Sequence, residues 1–167
     1  MNCPARNASV TFAGVKPPVI SLFRKKDSIS APSLLWDDPL LGIYRKEQEV
    51  YFGPGYWDRI EKHYRRLEAK LRRFPKGDAG NIPCIRRLIA LLILKIQASL
   101  AVTEAYATRN RKKTTNARKR IAQTIRAVKN FEKQYRELWY ARNKTFGYEV
   151  MQIRLAGQIA RLGEHHS

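Results

Sequence analysis

Three residue patterns in this chain have the types and spacing for chemistry. The first is Asp37-Asp38, the one place where two acids adjoin. Paired carboxylates can divide general acid and general base work. A pair followed by Pro39 is more often a helix N-cap with an acidic first turn, and that is the expectation here. The second pattern is histidine. His63 lies beside Tyr64 off the apolar stripe of a helix, which suits a boundary residue better than a catalyst, and His165-His166 lie at the extreme end without further ligands. The third pattern is basic: Arg109, Arg111, Lys112, Lys113, Arg118, Lys119 and Arg120 put seven cations into twelve residues. Such a run can contact phosphates. Stacking aromatics are not interleaved through it, as they often are in single-strand binders, so a solvated loop and helix face is the simpler reading.

Nothing else supplies a reactive centre. Cys3 and Cys84 are far apart and belong to no Cys/His cluster, which disfavours a structural zinc site. No phosphate-cradling glycine loop and no nucleophile elbow occurs. No catalytic residue, cofactor-binding residue or metal ligand is assigned, and no cofactor is expected.

The elements that carry these residues read as helices. Trp57, Ile60, Tyr64, Leu67, Leu71 and Phe74 step by three and four from Tyr56 onward, which places one apolar stripe on one face. Pro75-Lys76-Gly77-Asp78 stops that helix. A second helix is predicted over about 83–109, with Ile85, Leu88, Ile89, Leu92, Ile96 and Leu100 in its stripe; Leu91, Ile93 and Leu94 widen it, marking the most buried helix. A third is predicted over about 115–143 through Ile121, Ile125, Val128, Phe131, Tyr135 and Leu138, with the basic run as its preceding loop and first turn. After Phe146-Gly147-Tyr148 a short fourth helix starts at Glu149, with Val150, Ile153, Leu155, Ile159 and Leu162 apolar and Gly157 either weakening it or allowing a close neighbour. Short links favour antiparallel neighbours. The predicted fold is all-α: an antiparallel bundle of three long helices plus a short C-terminal helix, with an irregular N-terminal leader. Its divisions are a leader (1–33), a connecting segment with a short helical turn (34–55), the bundle (56–162) and a frayed tail (163–167). Leu67, Leu88, Leu92, Ile96, Ile125 and Val128 are the expected core.

Size and charge bound the function. A (β/α)₈ barrel needs about 250 residues, and this chain has 167. Thirty-three Lys and Arg against fourteen Asp and Glu leave a formal charge of +19, which speaks to anionic partners rather than to fold. The longest apolar run, 88–94, is far short of the roughly 20 residues of a membrane span, so no span is expected. The N-terminus lacks the continuous apolar stretch of a signal peptide, and the expected location is cytoplasmic.

Two segments are similar to a known family: Leu35-Trp36-Asp37-Asp38-Pro39-Leu40-Leu41-Gly42-Ile43-Tyr44, and the stretch 135–150 with its Trp139, Asn143-Lys144, Phe146-Gly147 and Glu149-Val150, continuing through Ile153-Arg154-Leu155-Ala156-Gly157 and on to Leu162. They resemble the C-terminal helical region of bacterial family 20 glycoside hydrolases, the β-N-acetylhexosaminidases. The resemblance covers about residues 34–162. It implies that chemistry resides in a preceding barrel, where an adjacent Asp-Glu pair and the substrate's own acetamido group cleave terminal N-acetylhexosamine. Such enzymes depart from the usual two-carboxylate scheme. This chain has no Asp-Glu dipeptide and no room for a barrel, so it is expected to be inactive alone. The resemblance implies a packing or self-association module, with a hexosaminidase-type barrel or a second copy as partner; a small basic binder of nucleic acid is the alternative. Expected interface residues are Trp36, Leu40, Leu41, Trp139, Tyr140, Phe146 and Tyr148. The seven cations of 109–120 are the candidate anion contacts.

Overall fold

The computed structural model describes residues 31–74 and 81–164. The expected leader lies outside them except for its last three residues, which open the first helix. Cys3, His165, His166 and the breaker at Pro75–Asp78 also lie outside. Six helices follow in order: α1 (Ala31–Trp36), α2 (Ile43–Phe52), α3 (Tyr56–Arg72), α4 (Ile82–Thr108), α5 (Arg111–Arg142) and α6 (Tyr148–Gly163). No strand occurs among the described residues. The chain is an all-α antiparallel bundle of three long helices, α3 to α5, with the shorter α6 at its end.

α4 sits at the centre, with α1, α3 and α5 packed around it. Its make-up explains this. Cys84, Ile89, Leu91, Leu92, Ile93, Ile96, Ala98, Ala101 and Val102 are all buried, so the apolar residues go most of the way round the helix. α4 is also the one helix among the described residues long and apolar enough to cross a membrane, which the run length of 88–94 did not anticipate. The core helix of a bundle has the same composition, and here its neighbours cover it.

Helix ends fall where local chemistry puts them. Arg109 adopts a left-handed φ of 48° and its N–H donates to Ala105 O, closing α4. Asn110 then caps α5, its side chain accepting from Lys112 N and Lys113 N. A link of only two residues forces α5 back along α4. Arg87 meets Gln134, Leu94 meets Thr124, and Gln97 meets Arg120, which is an antiparallel register. Because α5 begins at Arg111, the basic residues from Arg111 to Arg120 form its first three turns rather than a loop and one turn.

On α3, Tyr56, Trp57, Ile60, Tyr64, Leu67 and Leu71 are buried as one stripe. Phe74 departs from it and is 41% exposed, since the helix ends at Arg72 and the period ends with it. Leu92, Ile96 and Val128 are buried with Leu67 in the main core, whereas Leu88 is half-buried at its margin and Ile125 is half-buried against a second cluster around Ile121 and Leu162. Leu34 and Leu35 of α1 belong to the same core. The expected N-cap at Asp38 is not formed. Asp38 Oδ1 instead accepts from Leu40 N at 2.8 Å and Asp38 O from Gly42 N, an Asx-type turn between α1 and α2. The side-chain bond reaches only two residues on, within the turn, and α2 begins five residues later.

Candidate functional site

The last helix carries two apolar faces. Tyr148, Met151, Leu155, Ile159 and Leu162 step by 3, 4, 4 and 3 and face the bundle, with Tyr148, Leu155 and Leu162 buried. Val150, Ile153, Gly157 and Ala160 step by 3, 4 and 3 on the opposite side, and Phe146 stands just ahead of the helix, across Gly147. Phe146 is 85% exposed, Ile153 70% and Val150 53%; Gly157 and Ala160 are exposed too. A Cβ placed on Gly157 meets nothing within 4 Å, so this glycine accommodates no close neighbour among the described residues. Tyr140, half-exposed near the end of α5, extends the patch. Read as one list, the apolar residues of 148–162 look like a single stripe. Separating the two interleaved 3–4 series was the signal that finds the outer face.

The turn from α5 to α6 is rigidly built. Gly147 has a φ of 99°, and a Cβ there would come within 3.3 Å of the Trp139 ring, so a side chain is strained by the backbone and requires the ring to shift by a few tenths of an ångström. Trp139 Nε1 donates to Lys144 O at 3.0 Å, and Gly147 N donates to Glu149 Oε2 at 2.7 Å. The rings of Tyr135, Trp139, Tyr140 and Tyr148 gather beneath it. Tyr148 is 2% exposed and its hydroxyl donates to the Glu132 carboxylate. Burial, reinforced by that carboxylate, holds the Tyr148 phenol well above its ordinary range. Tyr148 is therefore buried within the chain, not offered at its surface. Its ring is spent on holding α6 to α5.

The other expected interface residues separate into two groups. Trp139, Tyr140 and Phe146 stand at the α5–α6 turn. Trp36 stands against the middle of α6, and Leu40, with Leu41 beside it in sequence, lies toward its other end, about 20 Å from the turn at 1.5 Å per residue. Trp36 is half-buried, with the Arg154 guanidinium over its ring at 5.2 Å. Leu40 packs on the cluster around Leu162 and Ile121, and Leu41 is exposed. Further exposed apolar residues, Val50, Tyr51 and Phe52, occupy the end of α2.

A cavity of about 380 Å³ lies between α6 and the α1–α2 turn, lined by Trp36, Asp37, Asp38, Arg154, Gln158 and Arg161 among others. Its groups mostly serve the fold. Asp38 Oδ2 accepts from Arg161 Nε at 3.2 Å, and Gln158 Nε2 donates to Leu35 O at 2.9 Å. Asp38 thus sits in a turn with the Arg161 guanidinium bound to its carboxylate. His63 is half-buried with its ring edge-on to Tyr64.

Beside the cavity is a residue that sequence reasoning missed. Lys95 is 1% exposed. Its Nζ donates to Leu35 O and Asp37 O, each at 2.5 Å, and to Gln158 Oε1 at 3.2 Å. The ammonium caps the end of α1, where carbonyls lack helical partners, and ties α1, α4 and α6 together. Burial lowers its pKa to about 8, with Asp37 and Asp38 pulling the other way. The available signal was a lysine at a stripe position, three residues after Leu92 and one before Ile96.

The basic run is divided by the fold. Arg109, Arg111, Lys112, Arg118 and Lys119 are exposed. Lys113 pairs with Glu104 at 3.0 Å, and Arg120 donates to Gln97 and Gln123, so these two are committed to the bundle. Among the described residues, no group of three or more His, Cys, Asp and Glu side chains is placed to hold a metal ion.

The family model of the Glycoside Hydrolase 20C C-terminal domain matches residues 23–167. The match starts inside the segment expected to be a disordered or irregular leader. No curated protein and no solved structure matches the chain.

Proposed function

The chain belongs to the Glycoside Hydrolase 20C C-terminal domain family, as a non-catalytic helical domain, and on that premise we propose that it acts by docking the outer face of α6 onto a glycoside hydrolase catalytic domain. The observation that carries this reading is the second apolar stripe. A helix that ends a small bundle needs one apolar face for folding. α6 has a second, with Val150 and Ile153 in water and Phe146 exposed in the turn just before it. Exposed apolar patches of more than a few hundred Å² mark interaction sites. Gly157 and Ala160 follow them in the C-terminal half, leaving a shallow strip on which a neighbouring helix can seat closely. The short, doubly constrained turn at Gly147 fixes where Phe146 points, so the patch is preformed and loses little entropy on binding.

The domain contributes position rather than chemistry. Asp38 is taken up by a turn and by Arg161, and the buried lysine is sealed from solvent. Association with a second copy is the other outcome of the same surface, opposed at low salt by the charge of +19, whose reach screening cuts to about 8 Å at physiological ionic strength.

The test is co-purification with a separately produced catalytic barrel from a glycoside hydrolase 20C protein, using the full chain and an Ile153→Lys variant. Capture by the parent chain and its loss in the variant are expected. Equal capture by both would overturn the assignment of this face, and concentration-dependent dimers abolished by Ile153→Lys would reassign it to self-association.

A further inference from the structure

α5 presents a second surface, of opposite character to that of α6. From Ala105 to Phe131 the chain contains no acidic residue. Within and just beyond that stretch, Arg111, Arg118, Lys119, Arg126, Lys129 and Lys133 are all exposed. At 100° per residue they fall within an arc of about 100°, on the side of the helix away from buried Ala117, Ile121, Thr124, Val128 and Phe131. They span about 33 Å of a single uninterrupted helix. None of the six is in an ion pair with another described residue. α3 differs: its exposed cations are mixed with Asp58, Glu61 and Glu68, and Arg65 and Arg72 are paired with the last two.

What lies between the cations narrows the partner. Thr115, Ala122 and Asn130 fill the same face. No aromatic ring stands among them, so the surface has no platform for unstacked bases. No large apolar side chain stands there either, so it lacks the buried face of a helix lying in a lipid interface and the apolar centre of a protein interface. Arginine, lysine, threonine and asparagine on a rigid rod are the side chains that grip phosphates without reading sequence. We propose that the outer face of α5 is a docking surface for duplex nucleic acid, held through its phosphate backbone and independent of base sequence. The expected anion contacts at Arg111, Arg118 and Lys119 belong to it; Lys113 and Arg120 do not; Arg126, Lys129 and Lys133 extend it.

The experiment measures binding of the full chain to a labelled mixed-sequence DNA duplex by fluorescence anisotropy. If four of the six cations each neutralise one phosphate, affinity falls about a hundredfold between about 50 and about 200 mM salt. A variant with Arg118→Gln, Lys119→Gln, Arg126→Gln and Lys129→Gln retains helix propensity and should lose about a hundredfold at low salt, with a flatter salt slope. A control carrying Lys62→Gln, Arg66→Gln, Lys70→Gln and Arg73→Gln on α3 loses the same net charge and should stay within about threefold of the parent. Equal losses in the two variants would overturn the proposal, because net charge alone would then explain binding. So would tighter binding to single strands, or binding to phosphatidylserine vesicles with none to the duplex. Circular dichroism of each variant verifies that the helices remain.

Discussion

The buried ammonium of Lys95 makes the stability of this domain depend on pH in an unusual direction. Its pKa in the folded chain is about 8, against 10.5 for a free lysine. Below pH 8 both folded and unfolded chains hold the proton, and stability does not change. Between pH 8 and 10.5 the folded chain releases it while the unfolded chain keeps it. The unfolded state then binds more protons, so stability rises with pH. The full difference corresponds to about 3 kcal/mol, of which about 1 kcal/mol is gained between about pH 7 and about pH 9. Other groups work against it. Burial pushes the Cys84 thiol from 9.0 to about 11, so the unfolded chain loses that proton first and stability falls above pH 9. The phenols of Tyr135 and Tyr148, also raised, add to the fall above pH 10. The lysine contribution is isolated by comparison with Lys95→Met, which keeps the packed stem and removes the titrating group. Urea unfolding of both proteins across that range should show the gap moving in favour of the parent by about 1 kcal/mol. Parallel curves would refute the argument, showing that the ammonium is not desolvated.

Other consequences are open to direct measurement. Leu92 is 1% exposed in the main core, and Leu92→Ala should cost about 2–5 kcal/mol in chemical denaturation; a loss below about 0.5 kcal/mol would mean that the site faces solvent. Tyr148→Phe keeps the ring and removes the bond to Glu132, so a loss of about 1–3 kcal/mol is expected, with an unchanged melting point as the contrary result. Gly147→Ala should destabilise by roughly 1–2 kcal/mol through its left-handed backbone alone, beyond any displacement of Trp139; a neutral effect would show that the turn is slack. The purified chain should not turn over a chromogenic N-acetylhexosaminide, and turnover that persists through further purification would contradict the non-catalytic assignment.

Period and punctuation made the bundle legible. Tyr56 to Leu71 and Ile121 to Phe131 each show one stripe whose spacing admits only a helix, and the short links imposed the antiparallel order. Two kinds of feature were not legible. One depends on which of two overlapping periods wins: Tyr148 and Ile153 are both apolar, and only packing against Glu132 and Tyr135 shows that the first turns inward. The other depends on contacts across long separations. Lys95 reads as a surface residue until α1 and α6 are brought to it, since its acceptors are 58 to 63 residues away. Asp38 fails as a helix cap for a local reason: its carboxylate is taken up by Leu40 N in a tight turn.

The clasp between α1 and α6 has a consequence for synthesis. Gln158 reaches Leu35, and Arg161 reaches Asp38, across 123 residues in each case. A chain emerging from the ribosome N-terminus first can pair α3, α4 and α5 as each helix appears, because those contacts lie between neighbours in sequence. α1 must wait. Its C-terminal carbonyls have Lys95 once α4 is out, but Gln158 arrives only with α6, so the clasp closes only after that helix is made. A product terminated before α6 would leave the inner face of α5 bare around Tyr135 and Ile125 and would leave α1 with Lys95 and its own Leu34 and Leu35 packing but without the Gln158 bond. Premature termination near the end of this chain should therefore give aggregation-prone material rather than a slightly shorter domain.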